Sequence, residues 1–162
     1  MAMLSVRPAK KEDAAILAPR LRMADRREIQ AATGEAPYAV LRRSIDWSDP
    51  CYAILDHTDR VIALFGVVPD INQAEVGSIW LLGSPEIAGY SMHFLRHSKT
   101  WVARLQEKYI TLWNYVDARN EVHVRWLKWC GFVFLRKIDC LGVERRPFYE
   151  FERVRGNWDR RC

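Results

Sequence analysis

The stretch Leu112-Trp113-Asn114-Tyr115-Val116-Asp117-Ala118-Arg119-Asn120-Glu121-Val122-His123-Val124-Arg125-Trp126-Leu127-Lys128-Trp129-Cys130-Gly131-Phe132 decides how this chain folds. Residues 110–116 are rich in β-branched and aromatic side chains and read as a strand. Asn120 is a residue type favoured at the head of a helix, residues 120–130 carry helical spacing, and Gly131 supplies the stop. Residues 132–138 read as strand again. Upstream, Ile87, Tyr90, Phe94, Trp101, Val102, Leu105 and Tyr109 fall near one stripe, so residues 86–109 are predicted to form a long helix. Before it, apolar runs at 51–56 and 61–68 flank His57, Thr58, Asp59 and Arg60, the signature of a hairpin. A third run at 75–82 extends this to a meander, ended by Gly83, Ser84 and Pro85.

Further out, residues 3–7 alternate as a short strand closed by Pro8, and 11–23 read as a helix that Pro19 kinks or splits. A helix over 25–33 stops at Gly34, and Pro37 opens a shorter one through Ser44. The chain closes on a strand at 147–154, expected to bury the face bearing Tyr149 and Phe151 and to leave Phe148, Glu150 and Glu152 on the other. This order predicts a mixed α/β fold with a mainly antiparallel sheet.

With 162 residues and 19.0 kDa the chain suits one domain, taken as 1–154 with a basic tail at 155–162. Hydrophobic residues form 49% and charged residues 28%, which excludes disordered and low-complexity classes. The longest apolar run, 61–68, is far short of the ~20 residues that cross a bilayer, and the first residues lack a signal-peptide stretch. The chain reads as soluble, not secreted and without a membrane span. Cys51, Cys130, Cys140 and Cys162 form no C-x-x-C pair, and His57, His93, His97 and His123 show no zinc-type spacing with them, so no metal is predicted. Cys51, Cys130 and Cys140 flank apolar segments and are expected to be buried. Net charge is +5, and residues 101–162 hold 13 basic against 8 acidic residues. That excess, ending in Arg153, Arg155, Arg160 and Arg161, is either a solvated tail or a site for an acidic partner; nucleic acid has only this charge behind it. Trp80, Trp101, Trp113, Trp126 and Trp129 lie mostly at core-facing positions, which favours packing over base stacking.

The segment from Leu112 to Phe132 resembles the strand, N-x-x-A/H, helix, G-F signature of the GNAT superfamily of acyl-CoA-dependent N-acyltransferases. The opening Ser5-Val6-Arg7-Pro8-Ala9, with Glu12, Asp13 and Ala14, is similar to the start of that fold, and the element order follows it over nearly the whole chain. Within the superfamily, Lys108-Tyr109-Ile110-Thr111-Leu112-Trp113-Asn114-Tyr115-Val116 with Asn120, Arg125, Leu127, Gly131 and Phe134 looks like the GNAT-like internal virion proteins of short-tailed phages.

This resemblance implies an acyl-CoA donor, acetyl-CoA in the simplest case, lying along the fourth strand. Its contacts would fall on Trp80, Leu81, Leu82, Gly83, Ser84 and Gly89, with Asn114 and Asn120 on the facing side. The family's R-x-x-G-x-G/A phosphate pattern is absent between Leu81 and Tyr90, and Glu86 places a negative charge there. The tyrosine that serves as general acid in many relatives falls at Leu127, which has no proton to give, leaving Tyr115 and Tyr90 as candidates. For a base the first choice is Glu75, then Asp70 and His57. The resemblance thus implies transfer of an acyl group to an amine of a host or phage protein or of a small molecule. The alternative is a non-catalytic protein of virion assembly or interaction. The expected setting is the host cytoplasm or the particle itself.

Overall fold

The computed structural model describes residues 3–156. A seven-stranded sheet has the order β1-β2-β3-β4-β5-β7-β6, built from β1 (Ser5–Pro8), β2 (Cys51–Leu55), β3 (Val61–Pro69), β4 (Val76–Gly83), β5 (Thr111–Asp117), β6 (Val133–Leu141) and β7 (Arg146–Val154). Every pairing is antiparallel except β4 with β5. That parallel join needs a crossover, supplied by α4 (Ser91–Lys108). The mixed, mainly antiparallel sheet predicted from the element order is therefore present.

Pro19 splits the first helix as predicted: α1 (Asp13–Leu17) runs into a 3-10 turn at Ala18–Arg20, and α2 (Met23–Thr33) follows. α3 (Pro37–Trp47) places its proline in the first turn, where a missing N–H costs nothing. One core cluster joins Ala14, Leu17, Leu41 and Ile45 of α1 and α3 to Ala53, Leu55 and Leu64 of the sheet. The second joins Val102 and Leu105 of α4 and Leu127 of α5 (Glu121–Trp129) to Phe65, Ile79, Leu112, Val116 and Phe151. Trp101 and Trp126 pack against this second cluster, in keeping with a packing role for those two rings.

Three expectations need correction. The helix read as starting at Glu86 begins at Ser91, because Pro85–Tyr90 tightens into a 3-10 turn. β7 buries Phe148 as well as Phe151, since α2 and the cavity described below lie on the face that strand alternation assigns to Phe148. Of the cysteines expected to be buried only Cys130 is: Cys51 is half-buried, and Cys140 is exposed because β6 is the sheet edge and most of its side chains face solvent. Arg160, Arg161 and Cys162 lie outside the described residues.

Candidate functional site

β4 and β5 pair only at Val76–Thr111, Gly77–Leu112 and Ser78–Trp113, and then part. β4 continues along β3 to Gly83, while β5 continues along β7 to Asp117. Asn114 stands in the crotch. Its Nδ2 donates to the Ile79 carbonyl (2.8 Å) and its Oδ1 accepts from the Tyr115 N–H (2.8 Å), so one side chain satisfies backbone where the ladder stops. A cavity of about 680 Å³ runs through this fork, lined among others by Trp80, Leu81, Phe94, Trp101, Tyr115 and Trp126.

At the open end the backbone of β4 is already occupied. The Gly83 N–H donates to the fully buried Asp25 carboxylate (3.0 Å), and the Gly83 carbonyl accepts from the Arg22 N–H (2.9 Å). Arg22 also pairs with Asp25 (2.7 Å). In the following turn the Ser84 N–H is bonded to the Ile62 carbonyl (2.8 Å) and the Ile87 N–H to the Ser84 carbonyl (3.3 Å), and Pro85 has none to offer. Glu86 bonds Arg20 (2.9 Å) and reaches Arg60 (3.4 Å); the Ser84 hydroxyl and Arg20 hold its carboxyl down to about 2.

On the far side of the fork, α2 delivers Glu28. Its Oε1 accepts from the Asp117 N–H (2.7 Å) and its Oε2 from Asn120 Nδ2 (3.3 Å). Burial, reinforced by the neighbouring Asp25 and Asp117 charges, pushes the Glu28 carboxyl up to about 7. Asp117 behaves differently: against the upward pull of its own burial, the Arg119 guanidinium (2.7 Å) keeps it below the usual carboxylate range. Burial also pushes His123 down to about 4, so its ring is neutral. Asn120 heads α5 but makes no side-chain cap; its amide is directed to Glu28 instead.

The fork gathers Trp80, Leu81, Leu82, Asn114 and Tyr115 along its cavity, with Gly83 lining a neighbouring cavity, Ser84 buried next to it and Asn120 behind Glu28. It does not gather Glu75 or Asp70. Glu75 is exposed and Asp70 half-buried at the closed end, where the Glu75 carbonyl accepts from the Thr111 N–H and Asp70 caps the turn at Asn72 and Gln73. Gly89 lies in the 3-10 turn with open space where a Cβ would be. Tyr90 and His57 bond each other on the surface (2.7 Å). Leu127 is core. Sequence reasoning missed Glu28, Asp25 and His123. The apolar spacing of 25–33 marked a helix, but nothing local ties residue 28 to residue 117 or 120.

An antiparallel sheet with one parallel join that splays into a ligand-sized fork is the geometry against which known structures can be compared. Spermidine N-acetyltransferase of Vibrio cholerae, solved with CoA and spermine, superposes with a TM-score of 0.62 at 16% identity over 96% of this chain and 97% of that one. The ribosomal-protein-S5-alanine acetyltransferase of Vibrio fischeri gives 0.63 at 14% identity over 98% of each chain. A GCN5-related N-acetyltransferase from Kribbella flavida gives 0.67 at 17% identity over 93% and 97%. This chain has the GNAT fold. A family model described as "Bacteriophage T7, probable scaffold protein Gp13" matches residues 61–138, which in the GNAT fold run from β3 to β6 and include both arms of the fork. Curated proteins offer no match.

Proposed function

We propose that this GNAT-fold chain serves in the particle or the assembly of a short-tailed phage, binding other protein components rather than turning over acyl-CoA. One observation carries the reading: backbone groups at Gly83, Ser84 and Ile87, where the resemblance puts the donor, are bonded within the protein. Gly83 is closed off on both its N–H and its carbonyl by α2 and the residue before it, and the turn at Ser84 to Ile87 presents the Glu86 carboxylate where a pyrophosphate would require free amides. The match to a phage scaffold family over residues 61–138 supports the same reading. The partner would be a phage protein or a host protein.

A specific observation favours a second reading, N-acyl transfer. The fork and its cavity are open, and Glu28 beside them titrates near neutrality, as a proton acceptor should. In that reaction the amine nitrogen attacks the thioester carbonyl, Glu28 takes the ammonium proton and the thiolate departs. Calorimetric titration with acetyl-CoA separates the two. A flat trace at millimolar ligand is the expected outcome. Saturable binding that Glu28→Gln leaves intact, while acyl transfer to a polyamine or peptide amine falls roughly 10²–10⁴-fold, would establish the second reading.

A further inference from the structure

Asp25, Glu28 and His123 each offer a ligand atom, and these atoms lie within 4.8 Å of one another. Two of the three come from α2 and one from α5, so the cluster bridges helices separated by 87 residues of chain. Its charges are unevenly balanced. Asp25 is paired with Arg22 and the adjoining Asp117 with Arg119, whereas Glu28 accepts only from an amide N–H and an amide NH₂. A carboxylate buried beside two others, without a cation of its own, is compensated by a proton or by a metal ion.

Two orphaned donors of electron pairs stand at the same place. His123 Nδ1 is buried without a hydrogen-bond partner among the described residues, and an imidazole nitrogen is a common ligand of first-row metal ions. Asn120 is only 3% exposed; its Nδ2 reaches Glu28 while its Oδ1 is likewise buried and without a partner among the described residues. Turning that amide over would place the oxygen beside Glu28, an arrangement favourable only with a cation or a proton between them. Buried polar atoms left unmatched are costly, so two of them on residues beside an uncompensated carboxylate call for a shared partner.

We infer that Asp25, Glu28 and His123, with the Asn120 amide oxygen as fourth donor, bind one divalent first-row transition-metal ion that staples α2 to α5 across the open end of the fork. One imidazole with two carboxylates and an amide oxygen suits zinc or manganese. Metal–ligand bonds of about 2 Å place ligand atoms up to about 4 Å apart, so the three side chains draw in by about one ångström on binding. Asp25 Oδ2 accepts from both Arg22 and the Gly83 N–H, but Oδ1 accepts only from Arg22 and keeps a lone pair for the ion, and His123 need lose no existing bond at Nδ1. The inference goes with the assembly reading, since a Glu28 that holds a metal ion is not free to take the proton in acyl transfer.

The experiment is a zinc(II) titration of the full chain by calorimetry at neutral pH, with a thermal melt at each point. The starting protein carries His93→Ala and His97→Ala, because those rings stand 4.5 Å apart on α4 and could hold zinc adventitiously. One ion per chain at micromolar affinity is expected, with a melting temperature that rises on loading and returns when EDTA is added. Glu28→Gln keeps acceptor and size, so it folds, and His123→Gln does the same at the other helix; each is expected to weaken binding at least about 100-fold and to abolish the melting shift. No one-to-one binding at millimolar zinc overturns the inference. So does binding that both variants leave unchanged, which would place the ion on surface cysteine or histidine.

Discussion

Glu28 is the residue whose chemistry is most open to measurement. In an unfolded chain its carboxyl titrates near 4.5, whereas in the fold it is pushed up to about 7. Between those values the folded protein holds a proton that the unfolded chain has released, so the Glu28 contribution to stability falls as pH rises through this window and is constant above it. The gap corresponds to at most about 3 kcal/mol. His123, pushed down to about 4, acts in the opposite sense, its contribution rising as pH climbs from 4 toward 6.5. The wild-type profile therefore partly conceals both. Urea melts of wild type and Glu28→Gln in EDTA isolate the glutamate: the two are expected to match near pH 4 and to diverge until the variant is more stable by up to about 3 kcal/mol at pH 8. A difference that does not change with pH would mean that Glu28 is ionised throughout and that Arg22 and Arg119 compensate it together with their own partners.

At the scale of elements, α2 is held at its C-terminal end by the turn between β6 and β7. The Glu144 N–H donates to the Ala31 carbonyl (3.1 Å) and the Val143 N–H to the Ala32 carbonyl (3.4 Å), so the turn satisfies carbonyls that a helix end leaves open. The approach depends on Gly142, at φ 76°, where a Cβ would stand 2.3 Å from the Ala31 oxygen and 2.6 Å from the Ala32 Cα. Gly142→Ala is expected to destabilise the protein by about 2 kcal/mol or more, from backbone strain and the forced retreat of α2. Gly89→Ala, with open space at its Cβ and no positive φ, serves as the control with little change. Equal melts for the two variants would show that the turn and α2 do not depend on each other. This dock also explains what could be read from the chain and what could not. The helix over 25–33 was legible from its spacing and its Gly34 stop, and so was the meander from His57 to Gly83, because those signals are local. The fork was legible only through resemblance, in Asn114 and Asn120. Glu28 was not legible at all: its meaning arises where Asp117 and Asn120 meet it across some 90 residues, and no periodicity records such a meeting. Glu75 lies away from the fork for the converse reason. Its place at the head of β4 was read correctly, but the strands are paired at that end and part at the other.

At the scale of the whole molecule, the last strand in sequence is not last in space. β7 lies between β5 and β6, pairing with β5 from Thr111–Val154 to Asp117–Phe148 and with β6 from Val133–Glu152 to Leu141–Arg146. The segment similar to the phage scaffold family, 61–138, contains β5 and most of β6 but not the strand that joins them. Phe148 and Phe151 are both buried, on opposite faces of β7, so that one strand contributes to the packing on each side of the sheet. Fully burying two phenylalanine side chains is worth about 3–6 kcal/mol together, against a net stability of about 5–15 kcal/mol for a domain of this size. A chain ending at residue 144 is therefore expected to lose cooperative unfolding altogether, with β6 left as an unpaired strand and Leu112 and Val116 uncovered. Circular dichroism through a urea titration should give a broad, sloping change in place of a single transition. A sharp transition with wild-type steepness would mean that β6 can pair with β5 directly, and the order β5-β7-β6 would then be one of two arrangements this sheet can take.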